Sequence, residues 1–120
     1  MSLSKSTRVM VLALLMGTPV WLSAHMKLEK SIPAEGATLT APPAMIELTF
    51  NEAPDMAVSK LEIHGPATNA KLVGTHVMGK ALMATVQGDL PDGAYAIQWQ
   101  GAGDDGHAQK GEVKFTLTRK

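Results

Sequence analysis

Apolar and polar residues alternate along much of the chain after residue 25, the period-two pattern of strands with one buried face. In MIELTF (45–50), Ile46, Leu48 and Phe50 fall on one face and Glu47 and Thr49 on the other. YAIQWQ (95–100) sets Tyr95, Ile97 and Trp99 against Gln98 and Gln100. VKFTLT (113–118) sets Val113, Phe115 and Leu117 against Lys114, Thr116 and Thr118. VSKLEIH (58–64) alternates less cleanly, and KLEKS (27–31), KLVG (71–74) and ALMATVQ (81–87) are weaker runs of the same kind. Helical spacing never persists beyond a turn or two in this region. Turn chemistry separates the runs, in PAEGA (33–37), APPA (41–44), HGPATN (64–69), LPDGAY (90–95) and GAGDDGH (101–107). The spacing predicts an all-β fold, about seven short strands in one antiparallel Greek-key barrel or sandwich over residues 25–120, with no internal repeat and no second domain.

Residues 1–24 follow another pattern. Lys5 and Arg8 precede the apolar run VMVLALLM (9–16), and GTPVWLSA (17–24) ends it with helix-breaking and small residues. This is the tripartite form of a cleaved export signal, and its apolar run is shorter than the roughly 20 residues of a membrane-spanning helix. Cleavage after Ala24 makes His25 the first residue of an exported, periplasmic domain.

The whole chain is formally neutral, which gives no bulk attraction to nucleic acid or to an anionic membrane surface. Residues 1–24 contain two bases and no acid, so the domain after them has nine basic and eleven acidic side chains and suits a cation. With no cysteine, it has neither a disulfide nor a thiolate ligand. The metal donors that remain are four histidines, the carboxylates, five methionines and a free amine.

Two features supply such donors. A terminal His25 would offer its α-amine and its imidazole Nδ1 to one ion as a chelate, whereas an internal histidine offers one nitrogen. In GDDGH (103–107), Asp105 and His107 stand two apart, and in an extended stretch such positions share a side. Each feature alone has a plain reading, a histidine at the cut by chance and a polar hairpin loop. Together they give an amine, two imidazoles and a carboxylate, a set suited to the tetragonal geometry of Cu(II), whereas zinc favours a tetrahedron and calcium more oxygens.

The blocks SIPAEGATL (31–39), IELTFNE (46–52), LPDGAYAIQWQ (90–100) and DDGHAQKGEVKFTL (104–117), with His25 at the cut, resemble the periplasmic copper-binding proteins of the CopC/YobA group across nearly all of residues 25–120. The resemblance implies a seven-stranded, cupredoxin-like (Ig-like) β-barrel with one Cu(II) per chain on its surface. Its ligands would be His25 through amine and side chain, Asp105 and His107, with Glu52 as an acid near the metal. It also implies a monomeric copper carrier or sequestering protein of copper homeostasis and resistance, not an enzyme. The implied partner is an inner-membrane protein of the copper-import type.

Several members of that group have a second, Cu(I) site in a methionine-dense loop around a histidine. The matching region here, 63–83, holds only His64, His76, Met78 and Met83. THVM (75–78) supplies one histidine and one methionine, Met83 reads as core, and the chain looks like a Cu(II)-only member. Two other functions stand beside this one. A copper oxidase with an N-terminal histidine brace would need an open metal position that Asp105 fills. A metal-free adhesion or chaperone sandwich would require the donor pattern to be accidental.

Overall fold

The computed structural model describes residues 25–66 and 69–119; the export signal expected over 1–24 lies outside the described residues. Strands β1 (Leu28–Ile32), β3 (Met45–Phe50), β6 (Ala81–Gln87) and β5 (Lys71–Met78) form one four-stranded sheet in the order β1-β3-β6-β5. A second sheet has the order β2-β8-β7-β4, from β2 (Ala37–Leu39), β8 (Gln109–Leu117), β7 (Gly93–Gly101) and β4 (Lys60–His64). A 3-10 turn, Met56–Val58, follows Asp55, whose side chain accepts the Ala57 N–H at 3.0 Å. Among the described residues, no helix is long and apolar enough to cross a membrane.

The two sheets bury the faces that the alternation marks. Ile46, Leu48 and Phe50 of β3 meet Tyr95, Ile97 and Trp99 of β7 and Val113, Phe115 and Leu117 of β8 in one core, which Leu82, Ala84 and Leu90 complete. Each large side chain taken fully from water contributes about 1.5–3 kcal/mol, which is how a chain without disulfides holds together. Phe50 meets the Trp99 ring edge-on at 5.0 Å, and Tyr95 stacks on Phe115 at 5.3 Å. The Tyr95 hydroxyl donates to the Pro91 carbonyl, a tyrosine corner that pins the turn before β7 to the core. Burial pushes the Tyr95 phenol above its ordinary pKa.

Three details depart from the sequence reading. The described residues form eight strands, and the extra one, β2, pairs in parallel with β8 (Ala37 with Phe115, Leu39 with Leu117), so the sandwich is not wholly antiparallel. At three residues β2 is too short to show a period, and its position depends on a distant partner. β5 runs to Met78, beyond KLVG, because the pairing with β6 shifts between Val73 and His76 and breaks the alternation there. Met83 is not core. Leu82 lies opposite Leu48 on the buried face, so its neighbour Met83, opposite Glu47, faces outward.

Candidate metal centre

The candidate site lies at one end of the sandwich, where the segment leading into β1 meets the turn between β7 and β8. Met26 secures that segment. Its side chain is 1% exposed and belongs to the core, although it is the first residue after His25. The Met26 backbone is gripped by the Gln109 amide, which in the orientation satisfying both groups donates to the Met26 carbonyl at 2.5 Å and accepts its N–H at 3.2 Å. Asn51, just past β3, holds both flanks. Its side chain accepts the Lys27 N–H at 2.8 Å and donates to the His25 carbonyl at 3.4 Å, and its own N–H reaches the Lys27 carbonyl at 2.9 Å. A segment that would fray in isolation is thereby fixed on both sides of the histidine.

The opposing turn is built from GDDGH. The Gly106 N–H closes onto the Gly103 carbonyl at 3.0 Å, and Gly106 takes φ +76°, a conformation open to glycine at little cost. Asp105 Oδ1 accepts the His107 N–H at 3.0 Å, an Asx-type turn. Asp105 and His107 therefore converge through a tight turn, and the extended stretch expected from their spacing is not what brings them together. Glu52 Oε1 accepts the Asp104 N–H at 2.8 Å and lies flat on Gly103, where a Cβ would sit 2.4 Å from that oxygen. Glycine at 103 is what admits the carboxylate.

His25, Asp105 and His107 each offer a donor atom, and the three atoms lie within 4.8 Å of one another. Asp105 Oδ2 sits between the imidazoles, 3.2 Å from His25 Nδ1 and 3.5 Å from His107 Nδ1. The ring centroids are 6.0 Å apart and tilted by 45°. All three residues are exposed, so an ion can reach them from solvent without any opening of the fold. The His107 backbone N–H holds the Asp105 carboxyl below the ordinary carboxylate pKa, partly opposed by desolvation and aided by the two histidines. The carboxylate is thus kept in its metal-binding form. A nitrogen, oxygen, nitrogen set of this kind suits a borderline divalent ion.

Of the residues singled out from the sequence, His25, Asp105 and His107 come together, and Glu52 stands behind the turn as its support. His64 and His76 do not converge. His64 lies on β4 in the second sheet, paired with Glu62 at 3.1 Å, and His76 lies on β5 in the first. Met26, Asn51 and Gln109 escaped the sequence reading. The phase of Met26 with Leu28 was a usable signal for the first, but Asn51 and Gln109 act on backbone groups and leave no pattern.

Comparisons with known proteins bear on the family and the fold. The CopC domain family matches residues 28–118. The chain is similar to copper resistance protein C of Xanthomonas campestris pv. juglandis, at 31% identity over 93% of each chain. It is also similar to the copper transport protein CutJ of Bacillus subtilis, at 26% identity over 91% of this chain and 21% of that protein. Among solved structures, PcoC, a methionine-rich copper resistance protein from Escherichia coli, superposes with a TM-score of 0.67 at 24% identity, covering 79% of this chain and all of its own.

Proposed function

The chain belongs to the CopC family, and from that membership we propose that it is a periplasmic copper carrier of copper resistance and homeostasis that binds one Cu(II) at His25, Asp105 and His107. The observation that carries this reading is the meeting of His25 with Asp105 and His107, eighty residues further along the chain, within 4.8 Å. Removal of residues 1–24 would convert the His25 backbone nitrogen into an amine, and amine, two imidazoles and one carboxylate complete a tetragonal set. The protein then needs no open coordination position and performs no reaction; it holds copper and gives it up. We assign it a monomeric state and a copper-transporting membrane protein as receiver. The likeness to CutJ supports that receiver, since a copper transport protein there contains a stretch similar to 91% of this chain.

Thermal unfolding tests the reading. A ligand that binds only the folded state raises stability by about 2.7 kcal/mol at a free concentration one hundred times its dissociation constant. Cu(II) should raise the melting temperature of the chain beginning at His25, saturating at one equivalent, and should leave His107→Ala unmoved. An equal rise in both would refute the assignment.

A further inference from the structure

We propose that the outer face of strands β4, β7 and β8 is the docking surface for the copper-receiving protein, and that it takes an extended segment of that partner with an acidic and a basic residue two positions apart. The identity of the partner rests on the carrier reading; the surface itself uses none of the metal donors. Strand pairing sets two rows of like charge across this face. Lys60, Gln100 and Lys110 stand side by side on β4, β7 and β8, and Glu62, Gln98 and Glu112 form the next row. The lysine row is the one nearer the metal centre: Gly101 pairs with Gln109 directly after it, and the turn that carries Asp105 and His107 begins there. Each row holds two equal charges about 9–10 Å apart, two interstrand spacings, with an uncharged amide between them. Among the described residues, Lys60, Lys110 and Glu112 make no ion pair, and Glu62 meets only the exposed His64, at 3.1 Å. Like charges facing one another repel, and a counter-charge set between them turns that repulsion into attraction.

The shape of the face selects the kind of partner. These six residues line an open trough of about 500 Å³, with β7 as its floor between the charged strands β4 and β8. Two such troughs laid face to face would enclose a void, so a second copy of the chain does not fill it. A strand-like segment lying along β7 does. In an extended chain, side chains at i and i+2 leave the same face about 6.5–7 Å apart, and the two rows have that spacing because they lie two residues apart on strands. An acid set between Lys60 and Lys110 therefore puts a base, two residues on, between Glu62 and Glu112. Gln98 and Gln100 add two amides that can both donate to and accept from a peptide. The order of the rows fixes the orientation, with the acidic end of the segment toward the metal centre. Residues of the partner just beyond its acid then lie on the side of the exposed His107, where copper can pass between the proteins. Charge pairing of this kind sets register and encounter rate more than affinity, which suits a contact that must part once copper has moved.

The test uses the metal-free chain beginning at His25, so that its failure and a failure of the copper reading are told apart. The probe is the peptide TVETKVT, blocked at both ends, whose β-forming residues favour an extended chain and whose acid and base stand two apart. The control TVEKTVT has the same composition with the two charges adjacent, on opposite faces of an extended chain. Followed by NMR, the first peptide should shift the backbone amides of the six trough residues to saturation, and the control should bind at least about tenfold more weakly. Binding should weaken as salt is added. Lys60→Glu with Lys110→Glu, both at exposed positions, should abolish binding of TVETKVT and admit TVKTKVT in its place. The proposal falls if TVETKVT moves none of these amides, if the two peptides bind alike, or if the charge-reversed chain still takes TVETKVT. It falls too if the trough amides shift with protein concentration alone, which would give the face to a second copy. His107→Ala should leave peptide binding unchanged while losing Cu(II).

Discussion

The candidate metal centre and the β5–β6 hairpin are held by different means. His25, Asp105 and His107 sit on irregular backbone at one end of the sandwich, fixed by a buried Met26 and by the amides of Asn51 and Gln109. The β5–β6 hairpin is set by strand pairing, with one shift of register between Val73 and His76. The first arrangement draws on residues far apart in the chain and is exposed to any change in its supports. The second is local, and hairpin pairing suffices to assemble it. A loop site can gather an amine, two rings and a carboxylate of different lengths; a sheet face can only offer side chains at fixed intervals.

Changes at the centre and its supports should break the candidate metal site and spare the hairpin, and the largest effect is expected at His107. His107→Ala removes a proposed ligand outright and should lower Cu(II) affinity by orders of magnitude in competition titrations, with copper-free stability little changed because His107 is exposed. Met26→Ala comes next. It opens a cavity in the core and should cost about 2–5 kcal/mol of stability in urea unfolding. It should also loosen His25, so that copper affinity falls although no ligand is altered. Asn51→Ala removes the clamp on Lys27 and His25 and should weaken copper about 10–100-fold, the usual range for residues that orient a ligand, at a stability loss of about 1 kcal/mol.

The smallest effect concerns acid. Asp105 has its pKa depressed in the folded state, so the stabilisation it provides is present above about pH 4 and is lost as pH falls through the lower folded value. Asp105→Asn should therefore flatten the pH dependence of copper-free stability only in that acid range. Copper binding should weaken as pH falls, because protons compete with the metal for its donors. Affinity measured against pH distinguishes these cases: a loss of copper that tracks only carboxylate protonation would contradict the nitrogen-rich set.

The same contrast explains what the sequence made legible. Strands with strict alternation, such as MIELTF and YAIQWQ, fall where the pattern places them, because one buried face imposes its period on the side chains. β2 stayed hidden because three residues show no period and its pairing with β8 is non-local. Met83 misled because alternation marks two faces without saying which is inner; that is settled by Leu82 facing Leu48 across the ladder. At the metal centre the ligand types were visible in HMKL and DDGH, but the means of convergence was not. It rests on a turn at Gly106 and on Glu52 lying over Gly103, contacts fixed only when β3 and β7 share a core.

On the proposed function, His25 binds copper through an amine exposed by processing. Two chains test it, one beginning at His25 and one with a single alanine before it, each titrated with Cu(II) and followed by electron paramagnetic resonance and competition for copper. Both should fold alike, since Met26, Asn51 and Gln109 are untouched. One tightly held, nitrogen-rich tetragonal Cu(II) is expected in the first chain, and affinity lower by orders of magnitude in the second. Equal affinity and identical spectra in the two would contradict it.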